Sequence, residues 1–313
     1  MKKVAFMFPG QGAQTVGMGK ELYEEFEVIQ QLYETANDVL NVNIQELMFH
    51  GPEETLTETE HAQPALLLSS VAAYTLLAQE NIFPSMTVGH SLGEYSALVA
   101  SEVLTFEEAI QLVQTRGRLM EEAYPKGQGT MAAVLGMKEE AIKTTLEQVD
   151  ENEVVDIANL NSPGQIVISG SQKGIEEAAE LLKEAGAKRV LPLNVSGPFH
   201  SRLMQPANNT FQASLNEATF HEATVPVYAN VTAEPVTDKE QTKELLIKQL
   251  YSPVRFEESV RNMIAEGVDA FVEVGTGKVL SGLLKKIDRK MTCFQVQDKA
   301  SLEKFIAWYK EEE

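Results

Sequence analysis

Ser91 stands in Thr87-Val88-Gly89-His90-Ser91-Leu92-Gly93-Glu94-Tyr95, a match to Gly-x-Ser-x-Gly where a short apolar run gives way to a helix-forming one. A serine becomes a nucleophile when a sharp strand-to-helix turn projects its hydroxyl and leaves backbone N–H groups facing it. Glycines at 89 and 93 remove the side chains that would clash in such a turn. The chemistry implied is acyl transfer through a serine ester. The same residues also read as a capping box, with Ser91 capping the helix and Glu94 reaching back to its N–H; that reading leaves both glycines without a reason.

A serine hydroxyl needs a base, and the histidines are His50, His61, His90, His200 and His221. His90 adjoins Ser91, and neighbours at a sharp turn point apart, while His50 and His61 precede the elbow in polar loops. His200, in Asn194-Val195-Ser196-Gly197-Pro198-Phe199-His200-Ser201, follows a predicted strand at a predicted domain junction, where clefts form; it is favoured over His221 as the base. Arg116 carries a different signal. Phe106, Ala109, Val113, Arg116 and Met120 recur at three- and four-residue steps, which places a guanidinium on an apolar helical stripe. It must meet an anion there, either a protein carboxylate or the free carboxylate of a substrate, and Arg118, two residues on, should point elsewhere. Gln11, in Pro9-Gly10-Gln11-Gly12-Ala13-Gln14, offers a second backbone N–H that can pair with that of Leu92 as an oxyanion hole.

These residues need a scaffold, and the hydrophobic pattern supplies one. A strand over 4–8 leads through the Gln11 turn to a helix near 19–36, and a Leu- and Ala-rich helix spans about 64–80 before the serine turn. Such alternation predicts a mainly parallel α/β sheet covered by helices, with ligand chemistry at the carboxyl ends of its strands. From Gly129 the texture changes: strand 130–135, helix 138–149, strand 154–160, a turn at Asn161-Ser162-Pro163-Gly164, strand 165–170, helix 174–185 and strand 188–195. That is β-α-β-β-α-β, a ferredoxin-like inserted subdomain over 128–196, with residues 1–127 and 197–313 forming the large catalytic part. Helices near 201–218, 239–250 and 256–266 then precede a strand over 270–274 and a helix from about 278.

Composition narrows the function classes. Lys+Arg 26 against Asp+Glu 46 gives a formal charge of −20, which argues against nucleic-acid binding through global charge and leaves room for local basic patches. The single cysteine, Cys293, permits no intrachain disulfide, thiol zinc cluster or Cys-x-x-Cys motif, and a cytoplasmic location fits it. The apolar run after Met1 stops at Pro9-Gly10, short of a signal peptide, and no run approaches the ~18 residues of a membrane span. Gly10-Gln11-Gly12-Ala13-Gln14-Thr15 and Gly275-Thr276-Gly277-Lys278-Val279 match neither a dinucleotide fingerprint nor a phosphate loop.

Phe8-Pro9-Gly10-Gln11-Gly12, Gly89-His90-Ser91-Leu92-Gly93-Glu94, Gln114-Thr115-Arg116-Gly117, Asn161-Ser162-Pro163-Gly164-Gln165, Gly197-Pro198-Phe199-His200-Ser201 and Glu273-Val274-Gly275, in this order, resemble the malonyl-CoA:acyl carrier protein transacylase family. The likeness runs from the first strand to the last helix and implies an α/β-hydrolase-like large subdomain carrying the ferredoxin-like one. It further implies a ping-pong reaction: Ser91 takes malonyl from malonyl-CoA as an ester and passes it to the phosphopantetheine thiol of acyl carrier protein, without a cofactor or metal. His200 would be the base, oriented by the backbone carbonyl of Gln249. Gln11 and Leu92 would hold the oxyanion, and Arg116, Phe199 and His90 would contact the acyl group. A bulky Phe199 fits malonyl over α-methyl-branched units, and Leu92 departs mildly from the residue most often seen in malonyl-specific modules, which bears on the strictness of selection. Because the family's carrier protein is acidic, Lys285, Lys286 and Arg289, with Lys290, and Lys188 with Arg189, form two candidate docking clusters. The chain is expected to act as a monomer, with no nucleic-acid or membrane partner. A serine thioesterase or esterase, a polyketide-type acyltransferase and a catalytically silent carrier-binding module are the competing functions.

Overall fold

The first apolar run, Val4–Phe8, becomes β1 with every residue buried. A strand buried on both faces belongs at the centre of a parallel sheet, and β1 lies there, between β2 (Met86–Gly89) and a later strand, Ala270–Val274. The structure, a computed structural model, describes residues 2–311. Between β2 and that later strand the chain forms β3 (Gly129–Leu135), β4 (Val155–Ser162), β5 (Gln165–Ser171), β6 (Arg189–Pro192), β7 (Val227–Tyr228) and β8 (Pro235–Val236); Ala270–Val274 is then β9, and Thr292–Val296 is β10.

The large sheet has the order β10-β9-β1-β2-β7-β8, with all neighbours parallel except the terminal β7–β8 pair. Its register sets Phe8 beside Gly89, so the strand ends that launch the Gln11 turn and the serine turn lie side by side. The His90 N–H donates to the Phe8 carbonyl at 3.0 Å and ties the two turns together.

The second sheet has the order β4-β5-β3-β6 and is antiparallel throughout. With helices Glu139–Leu146 and Gln172–Glu184 it forms the β-α-β-β-α-β pattern expected of a ferredoxin-like unit, and its own apolar cluster includes Val134, Ile142, Ile168, Ala178 and Leu182. It meets the rest of the chain through β4: the Leu160 N–H donates to the Val254 carbonyl, and the Val254 N–H to the Ala158 carbonyl, both at 2.8 Å. The mixed α/β class read from the sequence is the class observed.

Local boundaries differ from the sequence pattern in two instructive places. The helix expected over 19–36 is two helices, Lys20–Glu25 and Glu27–Leu40, broken where Phe26 is extended (φ −129°, ψ 116°). The break lets Tyr23 fold back onto Tyr33 and Phe49, with ring centroids 5.4 and 5.3 Å away, and that aromatic packing outweighs an unbroken helix. The helix expected from 64 begins at Thr59 and runs to Gln79 with Pro64 inside it. Fifteen of its residues are buried, so tertiary packing overrides the proline's preference for a helix start.

Candidate active site

The serine turn is an elbow held in a conformation that only its glycines allow. Ser91 sits at φ 52°, in the left-handed region. A Cβ on Gly89 would overlap the Gly93 carbonyl, and one on Gly93 would overlap the Phe8 carbonyl. Asn230, in the loop after β7, braces both sides of the turn: its Oδ1 accepts from the Ser91 N–H at 2.8 Å and its Nδ2 donates to the Gly89 carbonyl at 2.6 Å. The capping-box alternative is thereby corrected. Glu94 does not return to the Ser91 N–H, because Asn230 already holds it; the Glu94 carboxylate instead accepts from the Asn230 N–H at 3.2 Å and from Gln249 Nε2 at 2.7 Å. The helix begins at Gly93 without a side-chain cap. The backbone N–H groups of Gln11 and Leu92 make no hydrogen bond among the described residues.

His200 lies 2.7 Å from Ser91 Oγ through Nε2, and its Nδ1 lies 2.8 Å from the Gln249 carbonyl. A carbonyl can only accept, so Nδ1 carries the proton and Nε2 is free to accept from the serine hydroxyl. Burial, together with the nearby Arg116 charge, lowers the imidazole's pKa from 6.5 to about 3. His200 is itself left-handed at φ 57°, and the turn that carries it is closed by Ser201 Oγ donating to the Pro198 carbonyl at 2.6 Å. His221 is exposed, while His50 and His61 pair with Glu46 and Glu58 on their own surfaces.

Arg116 is fully buried. Its Nη1 donates to Gln63 Oε1 at 2.9 Å, and its Nη2 donates to Gln249 Oε1 at 2.9 Å and to Ser91 Oγ at 3.1 Å. Tyr95 stacks against it, with the guanidinium 5.6 Å from the ring centroid. Among the described residues no carboxylate lies within ion-pair distance of it, and its Nε has no partner. Of the two anions left open by the sequence, the protein carboxylate is therefore not the one in contact. Arg118 is exposed and pairs with Glu122 at 3.2 Å, on the opposite side of the helix.

A cavity of about 140 Å³ opens over the pair, walled by Gln11, His90, Ser91, Met120, Phe199 and His200, with Met131 and Asn159 from the second sheet. The site thus lies at the seam between the two sheets. His90 points across that seam, its Nε2 2.7 Å from Asn161 Oδ1.

Lys286, from the helix Val279–Ile287, reaches the same end of the small sheet that carries Arg189. Lys286 Nζ donates to Gln165 Oε1 at 2.7 Å, Gln165 pairs with Leu135, and Leu135 pairs with Arg189. Neighbouring strands are about 4.8 Å apart, so the row from Lys286 to Arg189 is short. Lys285, Lys286, Arg289, Lys188 and Arg189 are all exposed, and none forms an ion pair among the described residues.

A serine on a strand-to-helix elbow, an imidazole aligned on it by a carbonyl and a parallel α/β sheet beneath them define a serine-dependent acyl-transfer class. Residues 5–301 match the family model described as acyl transferase domain, and the chain belongs to that family. Within it the chain is 52% identical to the malonyl CoA-acyl carrier protein transacylase of Bacillus subtilis (strain 168), covering 100% of this chain and 99% of that protein. The structure is similar to a crystal structure of an acyl carrier protein S-malonyltransferase from Vibrio cholerae, with TM-score 0.94 and 45% identity over 97% of this chain and 99% of that one. It is also similar to a malonyl-transacylase solved in complex with its type II PKS acyl-carrier protein, with TM-score 0.95 and 41% identity, covering 97% of this chain and 99% of that one.

Gln63 and Asn230, and the side chain of Gln249, were not singled out by sequence reasoning. Gln63 and Gln249 are buried polar residues on helices, the signal that exposed Arg116, but Gln63 stands beside Pro64 and Gln249 in a helix of little amphipathic contrast. Asn230 follows a strand of two residues, too short for any periodicity.

Proposed function

We propose that the protein transfers malonyl from malonyl-CoA to the phosphopantetheine thiol of acyl carrier protein. The observation that carries this reading is a buried guanidinium with no carboxylate partner among the described residues, hydrogen-bonded to the very hydroxyl that His200 is placed to activate. Ser91 Oγ attacks the thioester carbonyl while its proton passes to His200 Nε2. The Gln249 carbonyl steadies the imidazolium that forms, and the N–H groups of Gln11 and Leu92 receive the oxyanion. Collapse of the intermediate expels coenzyme A thiolate, which takes the proton from His200. The carrier thiol then gives its proton to His200 and attacks the malonyl-serine ester, and the serine oxygen leaves with the proton returned by His200, which regenerates both side chains.

Arg116 lies behind Ser91 and does not itself wall the cavity. A malonyl carboxylate reaches it by replacing the Nη2–Oγ bond, which frees the serine oxygen for attack as it pairs the guanidinium. An acetyl group offers no such exchange. Phe199, buried in the cavity wall, limits the width available beside the α-carbon. Every step runs on side chains and backbone of this chain and calls for no cofactor; the single cysteine fits a cytoplasmic setting. Residues 128–196 act as the small subdomain that closes one side of the site.

Brief incubation with malonyl-CoA and intact-mass measurement tests the reading. A persistent malonyl adduct on Ser91 is expected; rapid return to free enzyme with malonate released indicates a thioesterase, and no adduct indicates a binding module.

The His200 environment sets a pH expectation. A base with its pKa lowered from 6.5 to about 3 stays neutral as pH falls through 6.5, so its proton-accepting form is lost only in strong acid. Labelling of Ser91 by a neutral fluorophosphonate should therefore change less than about twofold between pH 8 and pH 5. A half-loss near pH 6.5 would show an ordinary, solvated imidazole.

The exposed basic surface formed by Lys285 and Lys286, with Arg189 across from Lys286, is the docking surface for the acidic carrier. Lys285→Glu with Lys286→Glu should lower turnover with carrier protein by about tenfold or more while malonyl loading from the coenzyme changes little. Equal loss of both half-reactions would contradict that assignment.

A further inference from the structure

Glu94 is 3% exposed, and Gln249, Asn230 and Arg116 around it are fully buried. The Gln249 amide sits among four partners. Its Nε2 faces three acceptors: Glu94 Oε2 at 2.7 Å, the Ser91 carbonyl at 3.0 Å and Asn230 Oδ1 at 3.2 Å. Its Oε1 faces one group that can only donate, Arg116 Nη2 at 2.9 Å. Rotating the amide by half a turn would set its oxygen against acceptors and its NH₂ against a guanidinium, so a single orientation is allowed.

The three acceptors are not equivalent. The Ser91 carbonyl already accepts from the Glu94 N–H at 3.0 Å, and Asn230 Oδ1 already accepts from the Ser91 N–H at 2.8 Å. Glu94 makes the shortest of the three contacts, and an ionised carboxylate can only accept, whereas a neutral carboxyl or an amide can also donate. Glu94 also receives the Asn230 N–H, so it joins the serine helix, the loop after β7 and the helix Lys239–Gln249 at one point. Burial raises its carboxyl to about 7, and Arg116 pulls the other way. Glu94 makes no hydrogen bond or ion pair with Ser91 Oγ, His200 or Arg116 among the described residues, so it takes no direct part in the chemistry.

We propose that Glu94 is a positioning residue for acyl selection: by fixing the Gln249 amide with Oε1 on Arg116, it holds the guanidinium where a carboxylate-bearing acyl group meets it. The proposal rests on the reading of Arg116 as the carboxylate clamp. Without the Glu94 acceptor, the Gln249 side chain loosens while its backbone carbonyl still aligns His200. The serine–histidine pair then works as before, and only the preference for a dicarboxylic acyl group falls.

The test measures Ser91 acylation by malonyl-CoA and acetyl-CoA and labelling by the fluorophosphonate in Glu94→Leu, Glu94→Gln and Arg116→Ala, with fold checked by circular dichroism. Glu94→Leu should lower malonyl kcat/KM about tenfold or more, through KM more than kcat, while acetyl loading and labelling stay within about threefold. The double variant Glu94→Leu/Arg116→Ala should be no less selective for malonyl than Arg116→Ala alone, because Glu94 acts through that guanidinium. Glu94→Gln, whose oxygen still accepts from Gln249, should restore most of the malonyl preference. A fall of malonyl, acetyl and label together in folded Glu94→Leu overturns the proposal, as does Glu94→Gln behaving like Glu94→Leu. If Glu94→Leu does not fold, Glu94→Asp, which withdraws the carboxylate by one methylene, must show the selective loss. Arg116→Ala separates the two ideas: unchanged selectivity there defeats the clamp itself, whereas lost selectivity there with none in the Glu94 variants defeats this proposal alone.

Discussion

Replacing Arg116 with alanine is expected to lower malonyl loading on Ser91 by about a hundredfold to a thousandfold while acetyl loading changes by less than about fivefold. The magnitude follows from what remains. The malonyl carboxylate would be desolvated in a buried site without its counter-charge, and breaking a buried ion pair by removing one partner costs about 3–5 kcal/mol. Each 1.4 kcal/mol is a factor of ten. Acetyl carries no charge to lose. Gln63 Oε1 and Gln249 Oε1 each lose a donor as well, which lowers stability and makes a melting curve the necessary control. Equal loss of malonyl and acetyl loading would make Arg116 a structural residue.

Ser91→Ala should abolish the covalent adduct, and His200→Ala should slow its formation by about ten-thousandfold or more. The more informative result concerns the pair. Ser91 Oγ and His200 Nε2 are 2.7 Å apart and act on one proton, so the double variant should be no slower than the slower single one. Additive losses in transfer would mean that each side chain works in a separate step. Single-turnover kinetics on all three variants distinguishes these outcomes.

Much of the site was legible in the sequence because its residues break local rules. A buried arginine on an apolar stripe, and a serine between glycines, are anomalies visible without coordinates. Both correspond to the geometry found: Arg116 is buried, and Ser91 sits at φ 52° where its glycine neighbours leave room for the turn. Asn230 and Gln63 broke no rule strongly enough to be noticed. The β-α-β-β-α-β pattern was readable because its elements are long and separated by turns. The large sheet's order was not, since β1 pairs with β9 across more than two hundred and fifty residues and no periodicity encodes a partner. The short β8, and β10 with the final helix Lys299–Lys310, also went unread. Glu94 shows the opposite failure: Ser-x-x-Glu is a sound capping signal, and only the arrival of Asn230 at the Ser91 N–H redirects the carboxylate toward Gln249.

Malonyl transfer requires that the acyl group leave Ser91 for a carrier thiol rather than for water. Malonyl-enzyme prepared with isotopically labelled malonyl-CoA, freed of excess coenzyme and mixed with holo-acyl carrier protein, tests it in a single turnover read by intact mass. Label should leave Ser91 and appear on the carrier in equal amount, with little free malonate and with the ester persisting when the carrier lacks its phosphopantetheine arm. Label released as malonate at the same rate with or without the carrier thiol would contradict it.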